Sequence, residues 1–317
     1  MIPIYNYSGG VHAIDAQYGG RPLHVAVHFV IDQGSVAIID TAHNASVPLT
    51  LQALAQLGCK PDDVDYICLT HVHLDHAGGA GMLMRECRNA KLVVHPRGAR
   101  HMVDPSQLMA GVKAVYGEAK AERLYGELAP VPEERIIAAA DDLALKLGKR
   151  ELRCLDTPGH ARHHLCFYDG TANAVFTGDV FGLSYRELDV GDRQSVIVTS
   201  SPVQFEPQAM HDSIRRILAL RPETLYLTHF SQLREPEARG EDLHRLIDAY
   251  LDVAEKAGPD DGGRVQRIAE GLWQLFDAEA QRRGWTLPRE EQRALLALDV
   301  DLNSQGLDVW LKSRAKA

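Results

Sequence analysis

Six consecutive residues, His71, Val72, His73, Leu74, Asp75 and His76, set three imidazoles and a carboxylate side by side. Imidazole nitrogen and carboxylate oxygen are ligand types for zinc and related divalent ions. Histidine makes up only 15 of the 317 residues, so a polar turn is a poor account of this density. The block follows the apolar run Tyr66-Ile67-Cys68-Leu69 and precedes the pair Gly78-Gly79. A strand end fixes the backbone there, and the turn after it lets alternate side chains converge on one point.

Three more turns repeat the context. Thr157-Pro158-Gly159-His160 follows the run Leu152–Asp156, Thr177-Gly178-Asp179 follows Ala174–Phe176, and Thr228-His229 follows Leu225–Leu227. Any one of them alone reads as an ordinary turn or cap. Together with the first block they deliver seven candidate ligands to one edge of a sheet: His71, His73, Asp75, His76, His160, Asp179 and His229.

The elements that must position these residues are legible as short β-branched runs. They cover His24–Ile31, Ser35–Asp40, Asp65–Leu69, Lys91–His95, Glu151–Asp156, His164–Tyr168, Ala174–Thr177 and Thr224–Leu227, bounded by Gly, Pro, Asn or Asp. Amphipathic helices are predicted at Ser46–Leu57, Gly79–Arg88 and Pro207–Leu220. Arg97–Leu128 is too long for a loop and has helical apolar spacing, so it reads as a helical insertion. From about Glu235 the strand signals stop. Helices are predicted at Asp242–Lys256, Gly263–Arg283 and Pro288–Leu298. The expected organisation is a sheet-and-helix domain over 1–235 and a helical extension over 236–317, the latter a small domain or a dimerisation element that would make a homodimer.

With these residues in view, the sequence resembles the metallo-β-lactamase superfamily over roughly residues 10–235, the HxHxDH block being the most specific element. The resemblance implies a four-layer αββα sandwich. It puts one metal on His71, His73 and His160 and a second on Asp75, His76 and His229, with Asp179 bridging the two. It also implies that Asp40, at the end of Ile38-Ile39-Asp40-Thr41, supports the site from behind the ligands.

Two divalent ions about 3.5–4 Å apart can share a water whose pKa falls toward 7, giving hydroxide at neutral pH. The donor set suits two zinc ions, with iron or manganese as alternatives. Asp75 is placed both to hold a metal and to accept a hydrogen bond from the nucleophilic water, so it is the expected catalytic group. No Ser or Cys nucleophile is required, and Cys68 reads as a buried thiol. The expected activity is hydrolysis of an ester, lactone or thioester bond in a small-molecule acyl substrate.

Subgroups sort by small differences. Asp75-His76 together with Asp179 is similar to glyoxalase-II-like and lactonase-like members, and an Asp at the position of Asp179 argues against antibiotic hydrolysis. Two alternatives come from other classes. One is a mononuclear iron persulfide dioxygenase using His71, His73, His160 and Asp179; the other is a regulatory member that keeps its metal without catalysis.

Charge and composition agree with a globular enzyme. Apolar residues make up 45% and charged residues 24%, which excludes a disordered or low-complexity chain. A net charge of −9 argues against nucleic acid or an anionic membrane as partner. No apolar run approaches the ~20 residues needed to span a bilayer. Five scattered cysteines read as thiols and not as a disulfide framework, and the chain is expected to be soluble and cytoplasmic.

Other residues carry weaker claims. His164 is a candidate for lining or supporting the site, and His12, His24, His28 and His43 read as structural, His43 being nearest the metal edge. Tyr185 could donate to a substrate oxygen and Arg186 could meet a carboxylate, because both follow Asp179 closely. Met102, Met109 and Tyr116 could roof a pocket or pack as core. Trp273, Phe276, Trp285 and Trp310 read as helix-packing anchors.

Overall fold

The computed structural model describes residues 1–200 and 203–314, with the side chain of Tyr116 outside that description. One sheet takes its strands in chain order: β1 (Tyr5–Asn6), β2 (Val11–Asp15), β3 (Ala26–Asp32), β4 (Ser35–Ile39), β5 (Val64–Cys68), β6 (Lys91–Val94) and β7 (Ile136–Ala138). The second holds β8 (Ala144–Leu147), β9 (Arg150–Asp156), β10 (Leu165–Asp169), β11 (Ala174–Gly178), β12 (Thr224–Leu227) and β13 (Ser231–Leu233), also in sequential neighbourhood. Pairing turns parallel at β4–β5, β5–β6, β6–β7 and β11–β12, the places where a helical crossover is required.

Alternation of side chains along each strand builds three cores. Ala37 and Ile39 of β4 face Leu152 and Cys154 of β9, Phe167 of β10 and Phe176 of β11 in the layer between the sheets. Val36 and Ile38 of the same strand turn outward to α1 (Val47–Gln56) and α3 (Ala80–Glu86), the latter preceded by the one-turn α2 (Leu74–Ala77). On the far side, Leu155, Cys166, Val175, Leu225 and Leu227 meet an outer helical layer. Strands covered on both faces explain the continuous apolar runs. Helix, sheet, sheet and helix make four layers, the αββα sandwich expected from the sequence.

The insertion folds as α4 (Pro96–Val103), α5 (Ser106–Tyr116) and α6 (Glu118–Tyr125). Its Met102 joins the core under the first sheet, and Asn44 Nδ2 ties its end by donating to the carbonyls of Tyr125 and Glu127 at 2.9 and 2.8 Å. The reading of Tyr116 lies outside the described residues.

The outer layer on the second sheet is α7 (Pro207–Ala219) followed by α8 (Pro236–Lys256), α9 (Arg264–Arg283) and α10 (Arg289–Arg314). The tail is not separately cored: Leu246, Tyr250, Leu272, Phe276, Val300 and Leu307 share one cluster with α7 and the second sheet. Trp273, Trp285 and Trp310 pack against it. α10 runs well past the predicted stop at Leu298. Beyond that point Asp299 and Asn303 reach the sheet domain: the Tyr185 hydroxyl donates to Asp299 at 3.0 Å, and Asn303 accepts from the Ser200 amide at 2.6 Å and donates to the Val198 carbonyl at 3.2 Å. No described helix is long and apolar enough to cross a membrane.

Candidate metal centre

Four strand ends, β5, β9, β11 and β12, open toward the same rim, and each releases ligand-type side chains within a few residues. Local backbone rules explain why the turns reach so close together. Gly159 has φ +138°, and a Cβ there would sit 2.4 Å from the Met210 Cα, so only glycine lets α7 press against the His160 turn. Gly178 has φ +50°, and its Cβ would fall 2.6 Å from Thr70 Oγ1 and 2.8 Å from His164 Nε2. Asp40, at φ +55°, holds a left-handed conformation that costs a non-glycine residue energy and concentrates at working sites.

Three groups of ligand atoms converge, each with its members within 4.8 Å: His71, His73 and His160; His71, His76 and Asp179; and Asp75, His76 and His229. In the first, His73 Nδ1 is 2.9 Å from His71 Nε2 and 3.0 Å from His160 Nε2. One proton on His73 could satisfy one of those contacts, whereas a cation satisfies all three nitrogens. Asp179 spans the groups. Its Oδ2 faces His160 Nε2 at 3.6 Å, and its Oδ1 faces His76 Nε2 at 3.3 Å and His229 Nε2 at 3.9 Å. Asp75 Oδ2 lies 3.4 Å from His229 Nε2 and 3.7 Å from His76 Nε2.

The surroundings settle which ring nitrogen is free. His229 Nδ1 donates to the His24 carbonyl at 2.8 Å, and His160 Nδ1 is 3.4 Å from the Thr199 carbonyl. His76 Nδ1 donates to Asp40 Oδ2 at 2.8 Å. A carbonyl or carboxylate can only accept, so the Nε2 lone pairs of these rings are turned to the centre. Asp40 is itself held by Thr70 (N–H at 2.8 Å, Oγ1 at 2.8 Å) and by Thr228 Oγ1 at 2.7 Å. His164 accepts from the Asp179 amide at 3.2 Å, while its Nδ1 meets Thr157 Oγ1 at 3.0 Å.

Charge points the same way. Burial, reinforced by neighbouring imidazoles, pushes His71 well below the usual histidine range, and it takes His73 down to about 3. Burial also lowers His160, so this group presents neutral lone pairs. Burial works against ionisation of Asp179 too, but His76 and His229 outweigh it and hold the carboxyl well below the usual range. Conversely His76 is raised despite burial, by Asp179, Asp75 and Asp40. The acidic side of the centre therefore demands positive charge. His76 Nε2 and Asp179 Oδ1 are buried, and apart from their ion-pair contacts they find no hydrogen-bond partner among the described residues. Orphaned polar atoms of this kind are costly unless a cation or ligand takes them up, and the donor set fits divalent metal.

All seven predicted ligands are thus brought together, with Asp40 and His164 directly behind them. Tyr185 and Arg186 stand differently. The Tyr185 hydroxyl donates to Asp299 at 3.0 Å, and the Arg186 guanidinium is engaged with the carbonyls of Ser184 and Gln232 and with Asp189. His43 Nδ1 is 2.6 Å from Ser46 Oγ. The motif does not single out Thr70 and Thr228, although a Thr-His pair at two strand ends is a readable signal. The spacing reads His24 as structural, yet its ring lies 5.3 Å from that of His229.

Comparison with known proteins accords with this geometry. Residues 20–229 match a family model described as the metallo-beta-lactamase superfamily. A metallo-beta-lactamase fold-containing protein of Sulfurisphaera tokodaii is 26% identical over 246 residues, covering 75% of this chain and 84% of that protein. A hydroxyacylglutathione hydrolase of Erythrobacter litoralis is 28% identical over 200 residues, covering 62% of this chain and 59% of that enzyme. Among solved structures, a metallo-beta-lactamase family protein of Thermus thermophilus superposes with a TM-score of 0.66 at 21% identity, covering 96% of this chain and 94% of that one.

Proposed function

The chain belongs to the metallo-β-lactamase superfamily, and from that premise we propose that it is a metal-dependent hydrolase opening an ester, lactone or thioester bond. The observation that carries the reading is the division of Asp179, one oxygen toward each side of the centre. A carboxylate so placed suits a pair of cations. His71, His73 and His160 would hold one, Asp75, His76 and His229 the other. When bound, divalent ions supply Lewis acidity: they polarise a carbonyl oxygen and make water a stronger nucleophile near neutral pH.

The chain's own residues supply the rest. Asp75 is the most solvent-accessible carboxylate of the set, its side chain 30% exposed against 6% for Asp179. Its free oxygen can accept a hydrogen bond from water at the mouth, orienting a lone pair toward the substrate carbonyl, and can pass that proton to the leaving group. Asp40, Thr70 and Thr228 hold His76, and His164 holds the Asp179 backbone, so that the ligands need no reorganisation during turnover. The hydroxyacylglutathione hydrolase among the relatives supports a thioester as the first substrate to try. The persulfide dioxygenase reading leaves Asp75, His76 and His229 without a role, whereas their ligand atoms converge.

The test is a panel of esters, lactones and thioesters offered to protein loaded separately with zinc, manganese and iron(II). Chelator-sensitive turnover of at least one carbonyl class is expected. Oxygen consumption with a persulfide, and no hydrolysis of any member, would contradict the reading.

A further inference from the structure

The loop between β2 and β3 brings Arg21 and His24 against Tyr185, beside the acidic side of the centre. The Arg21 guanidinium carbon lies 4.9 Å from the centre of the Tyr185 ring, and the His24 ring stacks on that ring at 5.5 Å with 25° between planes. His24 in turn borders His229 through the ring contact and the carbonyl bond already described. The Tyr185 hydroxyl is committed to both oxygens of Asp299, at 3.0 and 3.2 Å, so the ring is a fixed platform with no donor to offer a ligand.

Arg21 and His24 are in the opposite condition. Arg21 Nη2 and His24 Nδ1 are both covered yet have no hydrogen-bond partner among the described residues, and His24 is only 8% exposed. Arg21 is in no ion pair among those residues. Arg150 and Arg264 also have one covered nitrogen without a hydrogen-bond partner, but each is in an ion pair, Arg150 with Asp169 at 2.7 Å and Arg264 with Asp308 at 2.6 Å. A guanidinium outside any ion pair among the described residues, lying over a ring that also stacks an imidazole with an unpartnered nitrogen, is a polar pair open to an anion. The planar guanidinium fork matches a carboxylate.

We propose that Arg21, with His24 beside it, anchors a carboxylate of the substrate, so that the preferred substrates are esters, lactones or thioesters whose acyl or leaving portion carries a free carboxylate. The inference rests on the hydrolase reading for the word substrate, but the anion site itself does not. On a chain of net charge −9 such a local cation is what admits an anionic molecule to a rim already rich in Asp75, Asp179 and Asp299.

The test uses the metal-loaded full chain and two probes of one shape, hydrocinnamate and its uncharged amide, with affinities read by calorimetry or ligand-observed NMR. The wild type should prefer the carboxylate by at least about 10-fold, the ratio of one charge-assisted contact. Arg21→Gln should collapse that preference toward unity, and Arg21→Lys should recover part of it, since the charge stays and the fork goes. Equal preference in wild type and Arg21→Gln would mean that the carboxylate binds elsewhere, the metals included, and would overturn the proposal. So would a wild type that does not distinguish the two probes, an outcome readable even if Arg21→Gln fails to fold. Matched substrates with and without a carboxylate give the same ratio in kcat/KM. Absence of all turnover with intact anion binding would reject the hydrolase reading and leave the anchor standing.

Discussion

Asp40 Oδ2 lies 2.8 Å from His76 Nδ1, and that contact dictates which nitrogen of His76 faces the centre. The carboxylate also collects Thr70 and Thr228, from the ends of two different sheets, so a single buried residue ties the rim together. Asp40→Asn keeps the shape but turns one acceptor into a donor against Thr and His hydrogens. The expected loss in metal affinity is about 10–100-fold. Competition with a chromophoric chelator reads it, and an unchanged constant would remove Asp40 from the supporting role.

Asp75→Asn tests the proposed proton acceptor. Hydrolysis should fall by at least about 10²-fold, while the circular dichroism spectrum and Tm stay near those of the wild type. Turnover within a factor of two of wild type would refute the role assigned to Asp75.

Gly178→Ala tests the close approach of the turns. The added Cβ meets Thr70 and His164 below 3 Å in a left-handed backbone, so we expect destabilisation of about 1–3 kcal/mol together with reduced metal content. Chemical denaturation and metal analysis of the same preparation give both numbers. A wild-type midpoint with full loading would show that the turn has room to spare.

His28 offers a pH prediction away from the ligands. It is 1% exposed between the sheets, near Phe176 and Tyr226, and burial lowers its pKa to about 4, partly offset by Asp40. The unfolded chain takes up a proton near 6.5, the folded chain only near 4. Stability is therefore complete above the unfolded value and declines as pH falls from about 6.5 to about 4, with a slope approaching 1.4 kcal/mol per pH unit for this group. His28→Gln should flatten the urea-derived stability profile over that window by about one proton. Parallel profiles for the two proteins would contradict the assignment.

What the sequence discloses follows from local rules. The strands buried on both faces, such as Ala174–Gly178 and Thr224–Leu227, announce themselves as apolar runs, and the turns after them carry the ligands. The short strands Tyr5–Asn6, Ile136–Ala138 and Ser231–Leu233 have too few residues to show a period. Ala144–Leu147 shows one, but only over two turns of alternation, Leu145 and Leu147 inward. The helix is predicted only to Leu298, because the partners that hold Asp299 and Asn303, Tyr185 and Ser200, lie more than a hundred residues away. The same distance hides Arg21, whose meaning depends on Tyr185. Proximity to Asp179 along the chain favours Arg186, which the fold instead engages with Ser184, Gln232 and Asp189.

The proposed hydrolase needs two cations, one on each side of Asp179. Metal content per chain, measured by mass spectrometry on protein equilibrated with excess zinc and then desalted, tests it most directly. We expect two ions in the wild type and a loss centred on one ion in each of His160→Ala and His229→Ala. A wild type that saturates at a single ion, with His229→Ala loading to the same level, would contradict it.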